Sequence, residues 1–427
     1  MAMRKNHKLY FSILGFLLLA FALQLALRLP YGYQRAKAEV SRAQPESPAP
    51  LHRPNNKLIP PEKAIRAVQV IDFECRTWAE VDRRLAEWKE AGVQAVILRV
   101  FQNPGDGFYQ FIERKAVSGV YFQTRHGPVV ADVLGPICEM AHRKGLLVIA
   151  WMTTRYANYG KEDEIKLRCM AWDFGRKKAV LKKGYCPLIT EAQDRICAIY
   201  ADLARYPVDG VLIQDDLILK HTEGMNPKAR ELYKKATGKA ADPDLFFKEV
   251  SRVNDKKYAV GKYTKEFHEW CRWKSQGLLL LAERVRRTIH ASRPKAPVGL
   301  NLFYETLTDP EHSLPWFAQD LEATLESDMD YYAFMLYHRQ MADELRLSRK
   351  AVLGLIDESL ADLVRRVDYT QRIWIKVQSV DWDTGARIPA AEISTLTGRA
   401  RRHGSVGLVV VPASRSLNLD ALKESFR

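Results

Sequence analysis

Two adjacent carboxylates at the end of an apolar run are the strongest chemical feature of the sequence. Residues 211–213 lead directly into Gln214, Asp215 and Asp216. Because burial disfavours a charged carboxylate, this placement favours catalysis over a structural salt bridge. Side chains alternate along a strand, so we expect only one of the two to face a cleft. A dry pocket would raise its pKa so that it protonates a leaving oxygen, while the other caps a helix or pairs with Lys220.

Polar and aromatic residues also follow other apolar runs. Glu305 is a candidate for a second catalytic carboxyl group, although a loop glutamate is often a solvated surface residue. Aromatic rings stack on sugar rings, amides bind hydroxyl groups, and paired carboxylates supply the acid and base that cleave a glycosidic bond. This combination predicts a glycan site. The expected substrate contacts are Asp72, Trp151, Gln214, Asn301, Tyr337, His338, Gln378, Asp381 and Trp382.

Several of these residues also have a structural interpretation. Trp151 and Trp382 can equally belong to a core, Asp72 can anchor Arg99, and a lone histidine such as His338 usually has no catalytic role. The sequence shows no catalytic triad, no CxxC pair and no two histidines four residues apart, so we predict neither a metal site nor a cofactor. The six cysteines are interpreted as buried small hydrophobes, and in an oxidising compartment they can form one or two disulfides.

Eight short runs rich in Val, Ile and Leu must position these side chains. Near-continuous apolar strands joined by helices indicate a parallel sheet that is covered on both faces. Eight such units predict a (β/α)8 barrel, or TIM barrel, with its active site at the carboxyl ends of the strands. The predicted strands are residues 68–73, 94–101, 146–152, 209–216, 298–303, 331–337, 373–378 and 406–412.

Amphipathic segments separate these strands, and a long segment at 217–262 indicates an insertion after the fourth strand. A doubly wound open sheet is the alternative fold. It would need a glycine-rich phosphate loop after the first strand, where this sequence has Asp72 and Glu74 instead. The predicted helices are residues 78–91, 130–144, 192–205, 263–292, 315–327 and 390–403.

The composition is that of a globular protein with a sizeable core. Of 427 residues, 47% are apolar and 27% are charged, which excludes a disordered or fibrous chain. The net charge is +15, but residues 1–67 contain 11 Lys and Arg against 3 Asp and Glu. The remaining basic charge is too dilute to predict nucleic-acid binding.

The N-terminal region predicts a membrane attachment. Residues 1–8 are basic and expected in the cytoplasm, and residues 9–29 are an apolar run long enough to span a bilayer. We interpret this run as an uncleaved signal anchor, with a cleaved signal peptide as the alternative. Residues 30–67 form a Pro-rich linker to a catalytic domain at 68–427. The domain is therefore expected in the periplasm or outside the cell, anchored to the inner membrane of a bacterial envelope.

Several motifs together resemble one known family. They are Tyr-Phe-Gln-Thr-Arg-His at 121–126, Ala-Trp-Met at 150–152 and the segment 206–216, followed by 301–303, 316–321 and 378–382. In this order, and over nearly all of residues 68–427, they resemble the C-terminal glycoside hydrolase-like domain of the periplasmic poly-β-1,6-N-acetyl-D-glucosamine deacetylases.

The resemblance implies a (β/α)8 domain that cleaves partially deacetylated poly-β-1,6-N-acetyl-D-glucosamine, an exopolysaccharide of biofilms. The family's His-Asp-Asp matches Gln214, Asp215 and Asp216, so the carboxylates carry over but histidine is replaced by glutamine. Arg125 and His126, within the first matching motif, join the expected substrate contacts. The aromatic loop after the sixth strand matches poorly at 337–339. The family's full-length members also carry a metal-dependent deacetylase domain, for which residues 31–67 leave no room, so we do not expect deacetylase activity.

The first functional hypothesis is a membrane-anchored, endo-acting glycoside hydrolase of an amino-sugar exopolysaccharide, with synthesis or export proteins as further partners. A non-catalytic glycan-binding or export module is the alternative, and Gln214 slightly favours it. Hydrolysis of a different polysaccharide is the third possibility.

Overall fold

A computed structural model describes residues 64–254, 257–414 and 417–426. Its eight central strands are β1 (Arg66–Val70), β2 (Ala95–Arg99), β3 (Leu147–Met152), β4 (Gly210–Ile213), β5 (Val298–Phe303), β6 (Tyr331–Met335), β7 (Ile373–Gln378) and β8 (Gly407–Val411). All neighbours are parallel, and β1 pairs with both β2 and β8, which closes the barrel. The predicted (β/α)8 barrel is confirmed, and the closing pair excludes an open doubly wound sheet.

Helices surround the barrel and cover its outer face. In chain order they are α1 (Trp78–Glu90), α2 (Leu134–Arg143), α3 (Thr190–Leu203), α4 (Pro227–Thr237), α5 (Pro243–Phe246), α6 (Lys265–Ser292), α7 (Tyr304–Thr308), α8 (Pro310–Phe317), α9 (Leu321–Glu326), α10 (His338–Leu345), α11 (Arg349–Arg365), α12 (Ala390–Arg402) and α13 (Leu419–Phe426). Short 3-10 helices lie at Ile165–Leu167 and Thr370–Arg372.

One predicted helix is divided into two helices in the structure, and the helix predicted at 130–144 begins only at Leu134. The segment 315–327 is divided between α8 and α9, because Ala318 adopts a left-handed backbone with φ of 56° and ends α8. Asp320 then begins α9 by accepting a hydrogen bond from the backbone N–H of Ala323.

In the part of the chain that the structure describes, three antiparallel hairpins lie outside the barrel sheet. They pair Phe101–Gln102 with Gly119–Val120, Arg168–Asp173 with Lys178–Tyr185, and Phe247–Asn254 with Lys257–Tyr263. The last hairpin, together with α4 and α5, occupies the predicted insertion after β4.

Strand register determines which side chains fill the barrel. In barrels of this type, alternate strands each contribute one side chain to a layer of four. The first layer contains Ala67, Ile149, Gly299 and Trp374. The second contains Ile97, Leu212, Ala333 and Val409. The third lies nearest the carboxyl ends of the strands and contains Gln69, Trp151, Asn301 and Lys376. We call this third set the polar layer, and it forms the floor of the barrel mouth.

Two glycines make room for large rings below the polar layer. A Cβ atom on Gly299 would lie 2.3 Å from the Tyr331 ring, and one on Gly407 would lie 2.6 Å from the Trp374 ring. These two rings stack with centroids 3.7 Å apart. The lower barrel is therefore tightly packed, and only its upper end offers polar groups to a ligand.

The predicted N-terminal regions, residues 1–8, 9–29 and most of 30–67, lie outside the described residues. Within 64–254, 257–414 and 417–426, no helix combines the length and apolarity needed to cross a membrane. All six cysteines fall in these ranges as buried thiols that form no disulfide, in agreement with their interpretation as small hydrophobes.

Candidate active site

Asp215 lies at the end of a hydrogen-bond chain that begins inside the barrel. Lys376 Nζ on β7 donates to Asn301 Oδ1 on β5 at 2.8 Å. Asn301 Nδ2 in turn donates to Asp215 Oδ1 at 3.2 Å, just after the end of β4. All three side chains are buried, and Lys376 is only 1% exposed. The chain thus connects the polar layer to a carboxyl group above it.

Burial controls the electrostatics of this chain. It raises the pKa of Asp215 above its ordinary value, against the opposing effects of the Lys376 charge and the Asn301 hydrogen bond. It also lowers the pKa of Lys376 to about 7, despite the attraction of Asp215. Desolvation favours the neutral form of both groups. A carboxyl group that holds its proton to a higher pH than a solvated aspartate is suited to general acid catalysis.

Asp216 points instead toward the loop after β3. It accepts hydrogen bonds from the hydroxyl groups of Thr153 and Thr154, at 2.7 and 2.9 Å, and from the backbone N–H groups of Thr154 and Tyr156, both at 3.0 Å. Burial raises the pKa of Asp216, and these hydrogen bonds oppose that effect. Both oxygens of Asp216 therefore anchor this loop. The predicted catalytic role of Asp216 stays a prediction.

Glu305 is the second residue of α7, the short helix directly after β5. It is only 2% exposed, so its interpretation as a solvated loop residue is wrong. The predicted role as a second catalytic carboxyl group remains a prediction, and its buried position at the mouth end of β5 is compatible with it.

Aromatic residues line part of the mouth above Asp215. Tyr337 follows β6, and its ring meets that of Trp382 at a centroid distance of 5.4 Å and an angle of 74°. Tyr337 also packs against an apolar cluster of Ile218, Phe303, Phe317 and Met335. Burial raises the pKa of Tyr337, and the negative charge of Asp215 raises it further. Neither Tyr337 nor Trp382 is fully buried, so both rings can meet a sugar.

Other polar atoms on the inner face lack a protein partner. Trp151 is buried in the polar layer, and its ring packs edge-on against Phe101. Among the residues that the structure describes, no hydrogen bond satisfies Trp151 Nε1, Gln69 Oε1 or Gln214 Oε1. Buried polar atoms are rarely left unsatisfied, so these atoms are available to water or to substrate.

Asp72 follows β1 beside the buried guanidinium group of Arg99. Burial raises the pKa of Asp72, and the Arg99 charge partly opposes it. Arg99 itself donates to the carbonyl of Gly107 at 2.6 Å and lies 3.6 Å from the carboxylate of Asp106. These contacts give Arg99 a structural role, and the effect of its charge on Asp72 is compatible with the interpretation that Asp72 anchors Arg99. Substrate binding by Asp72 stays a prediction.

His338, Gln378 and Asp381 are held in a network around α10. His338 Nε2 is 2.6 Å from Glu392, and Arg339 binds both Glu392, at 2.8 Å, and Asp381, at 3.3 Å. Gln378 Oε1 accepts the backbone N–H of Arg339 at 3.0 Å and so caps α10. Burial lowers the pKa of His338. Their predicted substrate contacts are untested, and the observed partners favour a structural role.

Arg125 and His126 are not brought together with Asp215. Arg125 is exposed, and His126 Nε2 lies 3.9 Å from Asp202, near the end of α3. Thr124, in the same loop, donates to Asp202 at 2.7 Å. The end of α3 leads back to the start of β4, away from the barrel mouth, so the two residues lie apart from the polar layer. Substrate binding by them stays a prediction.

Lys376 was missed by the sequence analysis, because lysine is usually a surface residue. The available signal was its position within Ile373–Gln378, where it is the one charged residue of the strand. Alternation places it on the same face as Trp374 and Gln378.

The arrangement can therefore deliver a proton at an aromatic-lined barrel mouth. The buried carboxyl group of Asp215 has a raised pKa and lies above the polar layer, and sugar rings can stack on Tyr337 and Trp382. This is the chemistry that cleavage of a glycosidic bond requires.

Comparison with known proteins agrees with this chemistry. The model of hypothetical glycosyl hydrolase family 13 matches residues 76–408. The glycoside hydrolase domain of PgaB (BpsB) from Bordetella bronchiseptica has a TM-score of 0.67 at 22% identity, over 85% of this chain and 99% of that domain. The catalytic domain of a Paenibacillus polymyxa β-amylase has a TM-score of 0.55 at 10% identity, over 85% and 98% of the two chains. A comparison with curated protein sequences found no significant match.

A β-galactosidase from the psychrophilic Marinomonas ef1 also shares the barrel, with a TM-score of 0.56 at 13% identity, over 84% of this chain and 58% of that enzyme. At such identities the solved structures establish the fold alone. The family match spans most of the barrel, and it confirms the resemblance to a glycoside hydrolase-like domain that the motifs predict. The chain belongs to hypothetical glycosyl hydrolase family 13.

Proposed function

We propose that this protein is a membrane-anchored, endo-acting glycoside hydrolase of partially deacetylated poly-β-1,6-N-acetyl-D-glucosamine or a related amino-sugar exopolysaccharide in the biofilm matrix. Its family and its barrel support the reaction class. The likeness to the PgaB (BpsB) glycoside hydrolase domain, together with the sequence motifs, supports the substrate class. Deacetylation is not part of the proposal.

The observation that carries the proposal is the buried Asp215 carboxyl group above the polar layer. Asp215 donates its proton to the glycosidic oxygen, which keeps the electron pair of its broken bond to the anomeric carbon. The oxygen of a water molecule then ends on that carbon after losing a proton. We assign the second carboxyl role to Glu305, because both oxygens of Asp216 already accept hydrogen bonds from the loop after β3. Tyr337 and Trp382 provide the aromatic surface for the sugar.

The proposed location is the inner membrane, with the barrel in the periplasm or outside the cell. The apolar run at 9–29 and the Pro-rich linker at 30–67 support an anchor and a tether. Exopolysaccharide synthesis or export proteins are the proposed partners. Fractionation of cells that express the full chain should recover it with membranes, and release of the barrel by protease added to the periplasmic side would establish the orientation.

Product analysis tests the proposed activity directly. The full-length chain, purified in mild detergent, is incubated with partially deacetylated poly-β-1,6-N-acetyl-D-glucosamine, with the fully acetylated polymer and with a β-1,4-linked polymer. Mass spectrometry should detect short oligosaccharides from the first polymer. Products from the β-1,4 polymer alone would support a different polysaccharide.

A glycan-binding module without turnover is the second candidate function. Gln214 favours it, since glutamine cannot titrate where the resembling family has histidine. In the same experiment, retention of the polymer without any shortened product would support this alternative.

A further inference from the structure

We propose that Lys376 is a positioning residue that fixes the orientation of the Asn301 amide and so leaves the transferable proton of Asp215 on its Oδ2 atom. This role rests on the proposed hydrolase function, because it concerns the acid of that reaction. Lys376 touches Asn301 and not the reacting atoms.

In its protonated form, Lys376 imposes one orientation on the Asn301 amide. The ammonium group has three donors and no acceptor, so the carbonyl oxygen of Asn301, and not its NH2 group, must face Lys376. The observed 2.8 Å contact from Lys376 Nζ to Asn301 Oδ1 has this sense. The NH2 group then faces the other way, where it donates to Asp215 Oδ1 at 3.2 Å. If the amide were reversed, its oxygen would face Asp215 and accept the carboxyl proton in a hydrogen bond. That proton would then not be available to a substrate.

The orientation distinguishes the two oxygens of Asp215. An N–H donor selects an unprotonated oxygen, so a proton on the neutral carboxyl group resides on Oδ2. In the reaction, that proton passes to the glycosidic oxygen, which also takes the electron pair of its broken bond to the anomeric carbon. Asp215 is left as a carboxylate. The Lys376 charge and the Asn301 NH2 group both stabilise this new negative charge.

The surroundings of Lys376 argue against a purely structural role. Its neighbours in the layer below include Ala333 and Val409, which belong to the apolar interior. A buried lysine in such a place is costly unless it supports a function. Asp215 accepts a hydrogen bond from Asn301 on β5, and the charge of Lys376 on β7 acts on the same carboxyl group.

The test compares two substrates with different needs for a proton on the leaving oxygen. For the full-length chain, kcat/KM is measured on the polymer and on an aryl glycoside of the same amino-sugar oligosaccharide with a good leaving group. Lys376→Met should lose roughly 100-fold on the polymer and only a few-fold on the aryl glycoside, because a good leaving group departs without acid catalysis. Lys376→Arg, which keeps a charged donor, should restore most of the difference.

Lys274→Met is the matched control. Lys274 is another fully buried lysine, in α6, and it donates to the carbonyl of Lys220 at 3.2 Å, outside the Asp215 group. The Lys274→Met variant should keep the wild-type ratio of kcat/KM between the two substrates. Equal losses on both substrates in Lys376→Met would overturn the positioning role. If that variant does not fold, Lys376→Gln takes its place, because an amide can donate or accept and so imposes no orientation on Asn301. A polymer-selective loss in Lys376→Gln supports the role, and equal losses on both substrates overturn it. A wild-type chain inactive on both substrates would instead contradict the hydrolase itself.

Discussion

Asp215 and Asp216 show how neighbouring identical residues acquire different chemistry. Asp215 has one hydrogen-bond donor from a side chain, Asn301, and faces the barrel mouth. Asp216 has four donors from Thr153, Thr154 and Tyr156 and faces a loop. Alternation predicts that only one of them enters the mouth, and the structure shows that it is Asp215.

This division predicts that substitution at Asp216 affects stability much more than substitution at Asp215. Asp216→Ala leaves buried N–H and O–H donors unsatisfied, and it should lower the free energy of unfolding by about 3 kcal/mol. Asp215→Asn should change it by less than about 1 kcal/mol, since an amide can replace the carboxyl group in the contact with Asn301. Urea unfolding followed by tryptophan fluorescence checks both values. Equal destabilisation by the two variants would contradict the division of roles.

At the scale of single residues, the sequence indicates which residues take part in chemistry better than it indicates their interaction partners. The carboxylates and aromatic rings stand out because they interrupt or follow apolar runs. The partners of His338 and Asp381, namely Glu392 and Arg339, are not evident from spacing, because α10 and α12 meet only in the folded chain. Lys376 is missed for a related reason, since only strand register shows that it faces Asn301.

The elements that build the barrel were predictable because a parallel strand buried on both faces needs a continuous apolar run. All eight runs form barrel strands. Their ends were less predictable, and β4 stops at Ile213 rather than at 216. The hairpins at 168–185 and 247–263 have many exposed residues and a weak apolar pattern, so sequence periodicity does not reveal them.

Packing within the barrel predicts that a glycine of strand β5 cannot be replaced without loss of stability. Gly299→Ala places a Cβ atom 2.3 Å from the Tyr331 ring, and the variant should lose about 3 kcal/mol or fail to fold. Gly354→Ala is the control, since its Cβ meets nothing within 4 Å in the middle of α11. There alanine should gain roughly 0.5–1 kcal/mol through helix propensity. Thermal unfolding compares the pair, and a tolerated Gly299→Ala would contradict the layer packing.

At the scale of the molecule, one buried ion pair joins the loop after β3 to the insertion after β4. Arg155 binds Glu223 through two hydrogen bonds, at 2.9 and 3.2 Å. Although burial opposes it, the Arg155 charge lowers the pKa of Glu223 to about 2. The pair joins the loop that carries the hydrogen-bond donors to Asp216 to the segment that follows Asp216 in the chain.

The lowered pKa predicts the acid behaviour of the whole protein. Glu223 binds a proton more readily in the unfolded chain, so its contribution to stability is fully present above about pH 4.5 and is lost as pH falls toward about 2. Its size is about 3 kcal/mol. Glu223→Gln should be less stable than the wild type at neutral pH, because Arg155 is left unpaired. As the pH falls toward about 2, the variant should lose less stability than the wild type. Urea midpoints between pH 5 and pH 2 measure the difference, and an unchanged slope would contradict the assignment.

The central claim is that Asp215 is the acid of a glycoside hydrolase, and product formation by matched variants tests it most directly. Wild-type chain, Asp215→Asn and Asp216→Asn are incubated with partially deacetylated poly-β-1,6-N-acetyl-D-glucosamine, and oligosaccharides are counted by mass spectrometry against the folded fraction of each protein. We expect products from the wild type, a loss of roughly 100-fold or more in Asp215→Asn, and a smaller loss in folded Asp216→Asn. Products from Asp215→Asn at the wild-type rate would contradict the claim.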